Sequence, residues 1–195
     1  MKEKFEIKEL INVGVFTALY FVVVFVTCFI GMIPICMVLI PLIIPIIAGI
    51  PLMLFFSKIK RFGMFTISGV LFGLIMFLMG SYSWVILLTC GLAGLFADVI
   101  LMLGGYKSIK HCIAASAVFS LWGIGTFISL FFGFREEYLQ SIVTGYGQEY
   151  VDALSSFTPA WMFYVMAVMC VVGGFIGGLL GAAVLKKHFR KAGIA

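Results

Sequence analysis

Apolar residues run along this chain in six long blocks, at about 10–32, 34–57, 62–80, 83–104, 111–133 and 159–185. Roughly 20 apolar residues in helical form span the hydrocarbon core of a bilayer. Each block therefore predicts one crossing, and the chain reads as an all-α integral membrane protein with six transmembrane helices in a single domain, residues 1–195. The polar breaks between blocks are short and carry a consistent sign. Lys2, Lys4 and Lys8 precede the first block, Lys58, Lys60 and Arg61 follow the second, Lys107 and Lys110 follow the fourth, and Lys186, Lys187, Arg190 and Lys191 follow the last. Because Lys and Arg in short loops resist translocation, the pattern predicts both termini on the cytoplasmic side of the cell membrane. Gly31–Ile33, Gly80–Ser83 and the loop 134–158 then face outward. Arg135 is the one basic residue on that outer side, among Glu136, Glu137, Glu149 and Asp152.

Within the blocks, two patterns stand out. Pro34, Pro41, Pro45 and Pro51 punctuate the second. An internal proline removes a backbone donor and crowds the preceding turn, and freed carbonyls at membrane depth need protein or a watery cavity. The second helix is expected to be broken by its prolines, forming a gate at Pro41 and Pro45 beside a cavity, or else to be kinked inside the bundle. Small residues also recur four apart, at Gly14/Ala18, Gly69/Gly73, Ala93/Ala97, Ser116/Ser120 and Gly173/Gly177/Gly181. Such faces admit close helix approach, either within the bundle or against another membrane subunit. The outer loop carries short apolar faces at Tyr138, Leu139, Ile142, Val143 and at Tyr150, Val151, Leu154, with Gly145-Tyr-Gly147 between them. It predicts two short helices on a joint, serving as a lid or lying on the headgroups.

Composition narrows the function classes. With 64% hydrophobic and 11% charged residues, nearly the whole chain sits in lipid or against other helices. The net charge of +5 is accounted for by small groups at helix ends, which excludes a nucleic-acid surface. Five cysteines form no CxxC pair, and His111 and His188 have no partner at ligand spacing, so no metal site and no cofactor are called for. Neither a GxxxxGK[ST] loop nor an HExxH helix occurs, and no catalytic constellation is present. The N-terminal block is too long for a cleaved signal and reads as a retained helix.

The candidate binding residues lie on the outer side. Tyr82, Trp84, Trp122, Trp161 and Tyr164 are either interfacial belt residues or stack on a ligand under the lid, together with Tyr138, Tyr146 and Glu149 of the loop. The forked donors of Arg135 suit a carboxylate or phosphate, or a surface pair with Glu136 or Glu149. Asp98 is the ionisable group inside a block. A charge at that depth is costly and a functional candidate by default; pairing with Lys107 or Lys110 is the structural alternative.

The endings GGFIGGLLGAA and KKHFRKAGIA, and GLAGLFADVI followed by YKSIK, resemble the Trep_Strep family among the substrate-binding S components of energy-coupling-factor transporters, over the whole chain. The resemblance implies a subunit that captures a vitamin or related small molecule outside and associates with a membrane coupling subunit, the T component, and two cytoplasmic ATPases. It implies too that a small-xxx-small face on the first helix, here Gly14 and Ala18 where AxxxA is usual, meets the T component, and that the stretch from Gly31 to Pro45 is a mobile gate. The alternative is a stand-alone proton-coupled transporter or channel using Asp98.

Overall fold

The computed structural model describes residues 6–80, 84–133 and 135–186; Tyr82 and the basic residues beyond Lys186 lie outside them. The described residues form helices and no strand: α1 (Ile7–Cys28), a 3-10 turn (Phe29–Met32), α2 (Pro34–Phe56), α3 (Met64–Leu78), α4 (Val85–Leu103), α5 (Ile109–Phe119), a second 3-10 turn (Ser120–Gly123), α6 (Ile124–Phe131), α7 (Arg135–Tyr146), α8 (Gln148–Phe157) and α9 (Met162–Val184). Five stretches are long and apolar enough to cross a membrane: Ile7–Met32, Pro34–Phe56, Val85–Leu103, Ile109–Phe131 and Met162–Val184. The third predicted block yields a shorter apolar helix of 15 residues, α3. At helical rise that is about 22 Å, against a hydrocarbon core of about 30 Å.

The expected break in the second helix is absent. α2 runs without interruption through Pro41, Pro45 and Pro51, with Pro34 in its first turn, where a missing N–H costs nothing. The reason lies in α9. A Cβ added at Gly173 would come 2.6 Å from the Leu42 carbonyl oxygen, and one at Gly177 would collide with the Pro45 carbonyl. The glycine ladder thus brings the α9 backbone directly against α2, and dispersion along that seam offsets the ladder bonds the prolines remove. The interruption falls in the fifth block instead, where the helix tightens into a 3-10 turn between α5 and α6. There the Ser120 hydroxyl donates back to the Ser116 carbonyl (2.8 Å), while the Ser116 hydroxyl donates across to the Gly174 carbonyl of α9 (2.9 Å). Serine back-bonding of this kind bends helices.

Most of the small-residue faces are spent inside the bundle. Gly69 and Gly73 of α3 meet Gly94 and Cys90 of α4, and Gly174 meets Ser116 and Ser120. Gly14 differs: a Cβ there would meet nothing within 4 Å, and Ala18 one turn on is exposed as well. The opposite side of α1 is buried through Val13, Thr17, Tyr20 and Val24, with Thr17 hydrogen-bonded to Ser68 of α3 at 2.6 Å. At one end of the bundle an ion pair joins Arg61 to Glu9. The other end is capped by α7 and α8. α8 buries Tyr150, Val151 and Leu154 against Val38 of α2 and Leu130 of α6. The joint between the two cap helices is Gly147, whose φ of +84° suits glycine.

Candidate functional site

Under the cap, three connected hollows open between α1, α2, α3, α6 and α7. One is a cavity of about 140 Å³, reaching in to Ile40, Pro41, Ile44 and Pro45 of α2 and lined also by Trp122, Phe127 and Cys170. A wider hollow of about 530 Å³ lies between Phe25 and Met76 on one side and Tyr138 and Ile142 of α7 on the other. A third, of about 390 Å³, runs past Phe29 and Met32 to Gly145 and Tyr146. Cys28 lines all three, Thr126 and Met76 join the first two, and Tyr146 joins the first and third. Among the described residues, no Asp, Glu, Lys, Arg or His lines any of them.

The 3-10 turn sets the geometry of this wall. It brings Ser120, Trp122 and Gly123 to the first of these hollows. Trp122 is 4% exposed and its indole N–H donates to the Tyr20 hydroxyl at 2.9 Å. Its ring packs edge-on against Phe72, with centroids 4.8 Å apart. That anchoring fixes the ring while spending its donor. Among the described residues Thr126 Oγ1 is buried without a hydrogen-bond partner, so its hydroxyl is a free polar group of the wall.

The cap is held by two devices that the sequence did not reveal. Tyr150 donates its phenol proton to the Gly31 carbonyl at 2.6 Å, tying α8 to the turn between α1 and α2. Arg135 donates from one terminal nitrogen to the Leu130 and Thr158 carbonyls (2.8 and 2.9 Å) and from the other to the Ser155 carbonyl and hydroxyl (3.2 and 3.1 Å) and the Thr158 hydroxyl (3.3 Å). Its fork thus caps the ends of α6 and α8, where unpaired carbonyls accumulate. It serves as a staple in the cap and does not line the cavities. Burial pushes the phenols of Tyr138 and Tyr150 up to about 12, with a smaller contribution from Tyr146 nearby.

Of the other aromatic candidates, the structure brings Trp122, Tyr138 and Tyr146 to the hollows. Trp84, Trp161 and Tyr164 are 62%, 60% and 67% exposed on the outside of the bundle, away from them. Glu149 is exposed in the first turn of α8. Pro41 and Pro45 form part of the lining of the first hollow. Asp98 does not pair with Lys107 or Lys110. Its Oδ2 accepts from the backbone N–H of Gly63 (2.8 Å), the backbone N–H of Thr66 (3.0 Å) and the Thr66 hydroxyl (2.9 Å). A carboxylate at this helix N-terminus meets otherwise orphaned donors and the positive end of the dipole. Thr126 and Cys28 escaped the sequence reading because nothing in an apolar block marks which face turns inward; Ser120 and Tyr150 stand out there for packing alone.

No curated protein and no solved structure matches the chain. A family model does, described as a hypothetical bacterial integral membrane protein and matching residues 7–191. With a multi-helical membrane architecture, a cap at one end and a match over nearly its full length, the chain belongs to the Trep_Strep family of bacterial integral membrane proteins.

Proposed function

We propose that this protein is the substrate-binding subunit of an energy-coupling-factor importer, capturing a small solute outside the cell and passing it inward through a separate T component driven by two cytoplasmic ATPases. In this reading α3 crosses the membrane as a short sixth span, both termini are cytoplasmic, and the capped end faces outward. The chain itself performs no catalysis.

The observation that carries the reading is the division among the small-residue faces. Gly69, Gly73, Gly173, Gly174 and Gly177 are filled by the bundle's own backbone or side chains, whereas Gly14 meets nothing and Ala18 is bare on an α1 face that also exposes Ile11, Val15 and Val22. A backbone this accessible in lipid suits close approach by another helix. The uncharged, capped cavity at the opposite end of the same helix suits solute capture, and the energy then enters through the partner.

Co-expression with a T component and its ATPases tests this. The wild-type chain is expected to co-purify with them, and Gly14→Trp and Ala18→Trp to remain folded yet come out alone, since neither side chain would strike the bundle. Complex formation undiminished in both variants would refute the docking face. The second reading, a stand-alone proton-coupled transporter, rests on Asp98 as a buried acid in α4. Proton-driven uptake by the chain alone in liposomes, lost in Asp98→Asn, would favour it over the importer.

A further inference from the structure

The cavity beside α2 carries a chemical specification. Resting on the solute-capture reading, we infer that its ligand is a small, flat, electrically neutral molecule that binds through a hydrogen-bond donor, received by backbone carbonyls that the prolines of α2 leave open.

Charge is settled first. None of the described residues lining the cavity is ionic, and an ion moved there from water would meet no counter-charge among them, a cost of several kcal/mol even after relaxation. Size comes next. An apolar cavity of about 150 Å³ holds a molecule such as benzene, and this one, the part that holds the ring, is about 140 Å³. Shape follows from the lining, which brings the rings of Trp122, Phe127, Pro41 and Pro45 to one cavity; flat ring surfaces suit a flat ligand.

The polar inventory then assigns the direction of the hydrogen bond. Two donors of the wall are committed, the Trp122 N–H to Tyr20 and the Ser120 hydroxyl to the Ser116 carbonyl; the hydroxyls of Thr126 and Tyr146 also line it and can give or accept. Acceptors are in surplus. In a helix, the carbonyl of residue i points at the nitrogen of residue i+4, and proline has no N–H to give. The carbonyls of Met37 and Pro41 therefore lose their helical donors to Pro41 and Pro45 in turn. Met37, Pro41 and Pro45 all line the cavity, so the stripe of α2 that carries these carbonyls borders it. Carbonyls at membrane depth that lack a partner are tolerated where they border a cavity. The free hydroxyl of Thr126 in the same lining supplies a second anchoring point able to give or accept. The unbroken helix matters here: a broken α2 would turn these carbonyls at random, while a continuous one lines them up one turn apart.

The test uses the full chain in lipid nanodiscs and a matched probe set: indole, N-methylindole, tryptamine and indole-3-acetate, measured by equilibrium dialysis with empty nanodiscs subtracted. Indole is expected to bind, N-methylindole to bind roughly two- to tenfold more weakly for loss of one hydrogen bond, and the cation and anion to show no binding. Pro41→Ala returns a donor to the Met37 carbonyl, so the ratio between indole and N-methylindole is expected to fall toward unity; Pro45→Ala does the same for the Pro41 carbonyl. Hydrogen exchange of the cap on each variant confirms that the fold is intact. Equal binding of indole and N-methylindole, as for a cavity that takes any hydrocarbon or a lipid tail, overturns the inference. So does preference for either ion, failure of indole to bind the folded chain, or an unchanged ratio in both proline variants. Co-purification with the T component is read separately: its failure sinks the importer while leaving the cavity's chemistry standing, and failure of the probe ratios does the reverse.

Discussion

Arg135→Ala offers the sharpest test of how the cap is held. The native guanidinium makes its two shortest bonds to the Leu130 and Thr158 carbonyls, at 2.8 and 2.9 Å, and both residues are essentially buried, at 1% and 0% exposure. A hydrogen bond from a charged donor contributes about 1.5–3 kcal/mol, and a buried acceptor left unsatisfied costs about 1–3 kcal/mol. Arg135 is itself partly solvated, which discounts the pair's sum to a loss of cap docking of about 2–4 kcal/mol. Each 1.4 kcal/mol is a factor of ten, so local opening of α7 and α8 should become about 30- to 1000-fold more frequent. Hydrogen exchange with mass spectrometry reads that directly: amides in 138–157 should exchange faster by this factor, while those of α2 and α9 keep their protection. Arg135→Lys should recover little, because a single ammonium cannot span the five acceptors that the fork reaches. Glu149→Gln and Glu136→Gln should leave exchange unchanged, since the staple is built on carbonyls and hydroxyls. Unaltered protection in Arg135→Ala, or an effect of equal size in the glutamate variants, would refute the reasoning and return Arg135 to a surface ion pair.

Tyr150→Phe removes one bond to Gly31 and should weaken cap docking by about 1 kcal/mol, measured by the same exchange experiment. The sign of the alkaline effect is set by the raised phenol: an exposed tyrosine ionises near 10 and the covered Tyr150 near about 12, so its share of docking is complete below about pH 10 and is lost as pH rises through about 12. Ultraviolet absorbance of tyrosinate during an alkaline titration should show this late ionisation, and an ordinary midpoint for all seven tyrosines would contradict it. Gly177→Leu should separate α9 from α2, because the added side chain meets the Pro45 backbone; a large drop in thermal stability is expected in detergent, where Gly14→Leu should change little. Asp98→Leu strands the donors of Gly63 and Thr66 and should cost about 2–5 kcal/mol of stability, whereas Asp98→Asn, which retains an acceptor, should cost less; identical melting temperatures for the two variants would exclude the capping role.

Several inward-facing positions were out of reach of any linear reading. An apolar block buries every backbone polar group within itself, so its existence is legible from composition while its orientation is not: Trp122 and Trp161 look alike in sequence, yet one is 4% and the other 60% exposed. The prolines marked the right segment and misled about its shape, because their effect depends on whether a neighbour supports the helix, and the supporting glycines lie more than a hundred residues away in α9. Arg135 stood out by defying the charge pattern, and the acceptors that explain it are backbone groups, which carry no sequence signal.

What the sequence by itself determined is the solvent. Long apolar blocks and short basic breaks leave lipid-buried helices as the available architecture, since a backbone in hydrocarbon must satisfy its own hydrogen bonds. The spacing of small residues likewise announced close helix contacts. Only the tertiary structure decided which of those faces were already taken. Glycines 69, 73, 173 and 177 are filled from within and Gly14 is left open; the fifth block bends at Ser120 where the second stays straight; and the uncharged hollow forms where α2, α6 and the cap converge. These are properties of which helix lies against which, and in lipid, where every face is apolar, packing alone makes that choice.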